Sequence, residues 1–294
     1  MSRPPLDTTD VPGHITLTPG GVSRNIAENL ARLGGGLGAS ARLRAIFIGV
    51  FGDDAPARSV IDASRAAGVD VRPIVRPGQL TASLAVVIDP AGRQMAGVFS
   101  GDILNTLTPG DLAPHLDVLR AADAIVTDGG APGPVLLELA RAARPGSLLV
   151  ANPGSTALAP RLTPILDRCD LVTCNRFEAE ALAGIAVSPE DDGLRLAQAL
   201  VARGVKRAVV TLGASGLAYA DAARSLRLPA QPARVIDATG AGDAMAAAIL
   251  FSLLDGESID AALALGLRAA ALTCEVETSV SPRLSLDSLR ARLV

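Results

Sequence analysis

The 294 residues contain no tryptophan, one tyrosine and five phenylalanines. So few rings leave no stacking platform for nucleic-acid bases, and they hand the core to aliphatic and alanine packing. Only two histidines occur, His14 and His115, in polar or proline-flanked surroundings that read as surface positions. A histidine-built metal centre or a Ser-His-Asp triad has little to build from. The three cysteines, Cys169, Cys174 and Cys274, are odd in number and form no C-x-x-C pair. That disfavours a disulfide framework or zinc site and fits a reducing, cytoplasmic setting. Net charge is only −3 and no Lys/Arg cluster stands out, so no nucleic-acid partner is expected. No charged-then-apolar start with a cleavage site is visible, so no secretory signal is expected. Mean hydropathy is high, at +0.37. Yet the apolar run 244–254 lies between Asp243 and Asp255. It falls short of the about 20 residues that cross a bilayer, which makes it a buried helix and excludes a membrane role.

Apolar residues make up 49% of the chain, enough for one large α/β domain over 1–294. Short apolar runs at 43–50, 124–127, 148–151, 171–174 and 208–212 read as buried strands. Helical patterns at 54–67, 134–143, 159–167, 177–182 and 191–203 alternate with them. Strands and helices in alternation imply right-handed βαβ units and a doubly wound, mostly parallel sheet. Residues 69–75, 81–88 and 93–99 break the rhythm, being strand-like with turns such as Asp89-Pro90-Ala91-Gly92 and no helix between them. They predict a small, discontinuous antiparallel lid within 69–100, joined by a strand within 12–19. Such a lid would exclude water from a reaction. Its open edges favour a homodimer formed through the lid.

The strongest chemical signal is Asp237-Ala-Thr-Gly-Ala-Gly-Asp243, directly ahead of the buried helix. Gly240 and Gly242 let the chain turn sharply and aim N–H groups at a ligand. A helix N-terminus adds its free donors and dipole, which together make an anion site. Asp243 then stands beside the anion as a base for an incoming hydroxyl, the pairing that phosphoryl transfer requires. The bland alternative is a glycine cap with Asp243 placed for the dipole. No G-x-x-x-x-G-K-[ST] occurs, and the Gly34-Gly-Gly-Leu-Gly38 run follows a helix rather than a strand, so it reads as a helix stop.

This string resembles the C-terminal D-T-x-G-A-G-D signature of the ribokinase-like (PfkB) kinases, with Ala238 in place of the first Thr. The resemblance implies a ribokinase-like fold and ATP-dependent transfer to an alcohol. Asp243 would be the general base, Gly240, Ala241 and Gly242 the anion hole, and Asp237 and Thr239 the place where family members often hold a monovalent cation such as K⁺. Gly20, Gly21 and Asn25 match the family's substrate-binding Gly-Gly segment. Taken alone, they would make a helix start after a turn. Asn175-Arg-Phe-Glu178 matches its N-x-x-E, which implies Asn175 in the ATP site and Glu178 holding Mg²⁺ through water. By itself Glu178 reads equally well as a first-turn acid on a helix dipole. Thr211, Gly213, Ser215 and Gly216 look like the family's nucleotide loop, or else an ordinary hairpin turn. Residues 269–281 would close the adenine pocket. Gly52-Asp-Asp54 is similar to a G-x-D-x-x-G segment, but Ala57 replaces its last glycine, leaving Asp54 as a helix cap.

Residues 20–34, Ser100-Gly-Asp-Ile-Leu and Cys174-Asn-Arg-Phe-Glu-Ala-Glu-Ala-Leu are most similar to the pseudouridine kinase branch. Pseudouridine is thus the leading acceptor. The alternatives are another nucleoside or free sugar, or a binding protein without turnover. Asn152-Pro153 stands where that branch usually has Asp-Pro. Family members also begin with an apolar strand ending in a sugar-binding Asp, and Met1-Ser-Arg-Pro-Pro-Leu offers none. The expectation is a sheet lacking its first strand, through an upstream start codon or a genuine truncation. The unpaired edges that a truncation would leave favour the former.

Overall fold

A computed structural model describes residues 13–35, 43–88, 94–188 and 193–291. The turn at 89–92, the glycines at 36 and 38 and positions 191–192 of an expected helix lie outside the described residues. The strands are β1 (Ile46–Phe51), β2 (Asp70–Val75), β3 (Ser83–Ile88), β4 (Gln94–Ser100), β5 (Ala124–Asp128), β6 (Leu148–Asn152), β7 (Leu171–Asn175), β8 (Arg207–Thr211), β9 (Leu217–Asp221) and β10 (Ser225–Leu228). The helices are α1 (Val22–Leu33), α2 (Ala55–Ala66), α3 (Pro109–Leu112), α4 (Leu116–Ala121), α5 (Gly133–Ala142), α6 (Arg176–Ala183), α7 (Leu194–Ala202), α8 (Ala241–Leu254), α9 (Ile259–Thr273) and α10 (Leu286–Ala291).

The main sheet runs β10-β9-β8-β7-β6-β5. Strands β5 to β8 are parallel, and β9 and β10 add an antiparallel edge. Both faces of the parallel strands are buried, which explains their unbroken apolar runs. Leu171 and Val209 point into one core with α1, α8 and α9. Val172, Ala208 and Val210 point into the other, with α5, α6 and α7. Helix α8 lies within the first core and is buried from Asp243 to Ser252, so it shows no polar face. Alanines and Gly266 of α9 allow the close approach: a Cβ on Gly266 would lie 2.7 Å from Ile249.

Three expectations change. Residues 159–168 form a 3-10 helix rather than an α-helix; Pro164 inside it lacks the N–H that a continuous α-helical ladder needs. Strand β2 pairs in parallel with β1 rather than joining an antiparallel lid. Residues 15–18 form no strand, and Ile15 and Leu17 stand exposed. The lid is the antiparallel hairpin β3–β4, tied down at its foot. Asp54 caps α2 through the Ala57 N–H at 2.9 Å, and it accepts from Thr81 N at 2.8 Å and Thr81 Oγ1 at 2.7 Å. Thr81 Oγ1 in turn accepts from Gly52 N at 3.0 Å. Only glycine fits at 52, where a Cβ would sit 2.0 Å from the Gln79 carbonyl oxygen.

The sheet is broken between β5 and β1, which belong to separate sheets. Every residue of both strands lines one cavity, as facing unpaired edges do. Helix α1 bridges the break. Its start is fixed to the end of β5, where Ser23 Oγ donates to Asp128 at 2.6 Å. Its C-terminal Gly34 lies against Leu43, ahead of β1. Among the described residues no strand pairs with both β1 and β5, and the two ladders are joined by α1.

Candidate active site

The positions singled out in the sequence converge on one cavity of about 2560 Å³ below the lid. Gly20, Gly21, Asn25, Asn175, Glu178, Thr211, Gly213, Gly216, Thr239, Gly240, Ala241, Gly242 and Asp243 all line it, while Ser215 and Asp237 do not. They stand at the C-terminal ends of parallel strands and at helix starts, where an open α/β sheet leaves its crevice.

Gly240 caps α8 in the left-handed region, with φ 82°. A Cβ there would lie 1.9 Å from the Ser279 carbonyl oxygen, so the position admits glycine alone. Among the described residues the N–H groups of Gly240, Gly242 and Asp243 have no partner, whereas Ala241 N–H is engaged by the Ala238 carbonyl at 3.2 Å. The open donors therefore differ by one from the expected trio: the Asp243 amide takes the place of Ala241's. Asp237 Oδ1 accepts from Thr239 N at 2.8 Å and shapes the preceding turn.

The Asp243 carboxylate is buried beside this nest of amides. Burial pushes its pKa up to about 7; the Asp128 and Glu178 carboxylates add to the rise, and the Asn25 hydrogen bond and Arg24 oppose it. Asn25 Nδ2 donates to Asp243 Oδ2 at 2.8 Å. One hydrogen of that amide remains for a ligand. Sequence reasoning misses Asp128. It ends β5, accepts from Ser23 and from Gly130 N at 2.8 Å, and lines the same cavity. An acid closing an apolar strand ahead of Gly129-Gly130 is the signal that would have found it.

Asn175 ends β7 and caps α6. Its Oδ1 accepts from Glu178 N at 3.0 Å, and Glu178 Oε2 accepts from Asn175 N at 2.9 Å. This reciprocal box uses one carboxylate oxygen of Glu178 and leaves the other. Burial raises the Glu178 pKa. Among the described residues no three His, Cys, Asp or Glu side chains cluster tightly enough to hold a metal by themselves. Asn152, at the end of β6, donates to Thr173 Oγ1 at 3.3 Å and accepts from Gly154 N at 3.2 Å, so it serves the cavity wall. Thr211, Gly213 and Gly216 form the turn between β8 and β9, where a Cβ on Gly216 would lie 2.0 Å from the Leu228 carbonyl oxygen. No described helix is long and apolar enough to cross a membrane.

An α/β fold with a nest of amides facing a buried carboxylate at the edge of its crevice belongs to the class of small-molecule phosphotransferases. Residues 3–285 match the model of the pfkB family carbohydrate kinases, and the chain belongs to that family. It is a kinase that acts on the hydroxyl of a sugar or nucleoside. The chain is similar to the pseudouridine kinase of Escherichia coli, with 31% identity over 284 residues, covering 95% of this chain and 87% of that one. A ribokinase of Staphylococcus aureus is 28% identical over 267 residues, with 87% and 86% covered. Among solved structures, a carbohydrate kinase from Agrobacterium tumefaciens superposes with a TM-score of 0.80 at 29% identity, covering 97% and 89%. A protein from Escherichia coli, solved in complex with ATP and Mg²⁺, shares the fold with a TM-score of 0.79 at 20% identity, covering 96% and 91%.

Proposed function

We propose that this kinase transfers the γ-phosphoryl group of ATP to the 5′-hydroxyl of pseudouridine. The observation that carries the reading is the buried Asp243 carboxylate beside the unpaired N–H groups of Gly240, Gly242 and Asp243. The hydroxyl oxygen attacks the terminal phosphorus in line, the bond from phosphorus to the ADP oxygen breaks, and the hydroxyl proton passes to Asp243. The free amides receive the charge on the moving group without reorganising, because the αL cap holds them fixed. Asn25 and the Gly20-Gly21 segment face the acceptor, and the turn carrying Thr211, Gly213 and Gly216 faces the nucleotide. Asn175 and the remaining oxygen of Glu178 are oxygen donors of the kind that suit hydrated Mg²⁺, which when bound neutralises phosphate charge. Asp237 and Thr239 are assigned to a monovalent cation. The apolar, exposed lid side chains Leu84, Val98 and Phe99 are assigned to a homodimer contact.

Support for pseudouridine comes from the 31% relative, and ribose is the second reading because the ribokinase is almost as similar. ADP release measured over a panel of nucleosides and sugars, with and without K⁺, separates them. Higher kcat/KM for ribose than for pseudouridine would overturn the acceptor. Full turnover by Asp243→Asn would overturn the base.

A further inference from the structure

Next to the reacting groups lies a buried arginine. Arg24 is 4% exposed, and Glu28 and Ser64 beside it are 5% and 0% exposed. A cation this deep carries a large desolvation cost unless its donors are matched. They are. Nε donates to Ser64 Oγ at 3.1 Å, Nη1 donates to the Pro19 carbonyl at 3.1 Å and to Asn25 Oδ1 at 2.8 Å, and Nη2 pairs with Glu28. Glu28 is held from its other side by Arg32 at 2.7 Å. Asn25 Oδ1 also lies 3.4 Å from Ser279 Oγ, whose single hydrogen has a nearer acceptor in the Pro19 carbonyl at 3.1 Å.

An amide has two ends of opposite character and nearly equal shape. With a guanidinium, which has donors only, on one end, only the carbonyl fits there, and the NH₂ end must face Asp243. We propose that Arg24 is a positioning residue: its guanidinium fixes which way round the Asn25 amide sits and so keeps an N–H on the Asp243 carboxylate. The proposal rests on the kinase reading for its kinetic consequence, but the geometry stands without it. An amide turned over would present its oxygen to the carboxylate and replace an attraction with a repulsion. The charged groups facing Asp243 are Asp128 from the end of β5, Glu178 from α6 and Arg24 itself from α1. The first two disfavour the ionised base, so the Asn25 N–H and the arginine charge oppose them.

Two variants test this. Arg24→Met removes the fork, while Glu28 keeps Arg32. Arg24→Lys keeps a positive charge for Glu28 but loses the planar fork that reaches Asn25 and Ser64 together. Both are expected to move the acid limb of the kcat profile upward by about one pH unit, a loss of about fivefold in rate at pH 7 that approaches about tenfold at lower pH. Rates converge with the parent near pH 9, and the acceptor KM changes by less than about twofold. A merely structural arginine would lower activity equally at all pH values or act through KM, and either outcome overturns the proposal. The Asp243 carboxyl titration, followed by carbon-13 NMR in nucleotide-free protein and assigned with Asp243→Asn, supplies a readout independent of turnover. An upward-shifted midpoint in Arg24→Lys supports the network even if no acceptor is phosphorylated. An unchanged midpoint overturns it even if the enzyme is an active kinase.

Discussion

Asp243→Asn should stabilise the protein while removing its activity, with a pH signature. In the fold Asp243 keeps its proton to about pH 7, against an ordinary value of 3.8. At about 1.4 kcal/mol per pH unit, holding the ionised form in that site costs roughly 4 kcal/mol. Between those two values the folded state binds more protons than the unfolded chain. Stability therefore falls as pH rises through this window and levels off above it. Asparagine carries no proton to lose, and its Oδ1 still accepts from Asn25. The variant-minus-parent difference should be near zero at pH 4, grow through pH 5 and 6, and reach roughly 4 kcal/mol by pH 8. For a chain of this size that is roughly 8 °C in Tm. Other titrating groups are shared by both proteins and cancel in the difference. Urea unfolding at each pH reads it directly. A difference that does not change with pH, or a variant less stable than the parent at pH 8, would refute the account of a strained, buried base.

Gly240→Ala should cost about 2–4 kcal/mol through its positive φ and the collision with the Ser279 carbonyl, whereas Gly242→Ala, with open space around it, should keep or gain stability and lose activity; paired melts and assays compare them. Thr81→Val leaves Gly52 N–H without its partner and takes one of three donors from Asp54, so the acceptor KM should rise and amide exchange quicken within β3 and β4, while an unchanged KM would remove the lid's assigned role. The facing edges of β1 and β5 should exchange their amides faster than β7, which is paired on both sides. Hydrogen exchange with mass spectrometry resolves those peptides.

The parallel strands are legible because burial on both faces leaves a continuous apolar run, as in Leu171-Val-Thr-Cys and Ala208-Val-Val. The 237–243 segment is legible because its glycines have one steric explanation at Gly240. Pairing partners are not. Residues 70–75 look equally like a lid strand or a sheet edge, and only the parallel ladder with β1 decides between them. Strands β9 and β10 are short, and composition does not separate them from a loop. Arg24 is hidden because an arginine on a helix reads as solvated; its burial depends on Ser64, Glu28 and Ser279, the last from the opposite end of the chain. Asp128 escapes because an acid at a strand end is common, and its meaning comes from Ser23 across the break.

The helix that spans the divided sheet also sets how movement travels. Strands joined by a ladder shift together, but no ladder joins β1 to β5; among the described residues α1 contacts both, and Arg76, just past β2, adds a tie through Thr106 and Asp111. The Ser23–Asp128 contact fastens that helix to β5, and Asn25 sits two residues along from it. The residue that steadies the buried carboxylate is thus carried by the same element that holds the two ladders together.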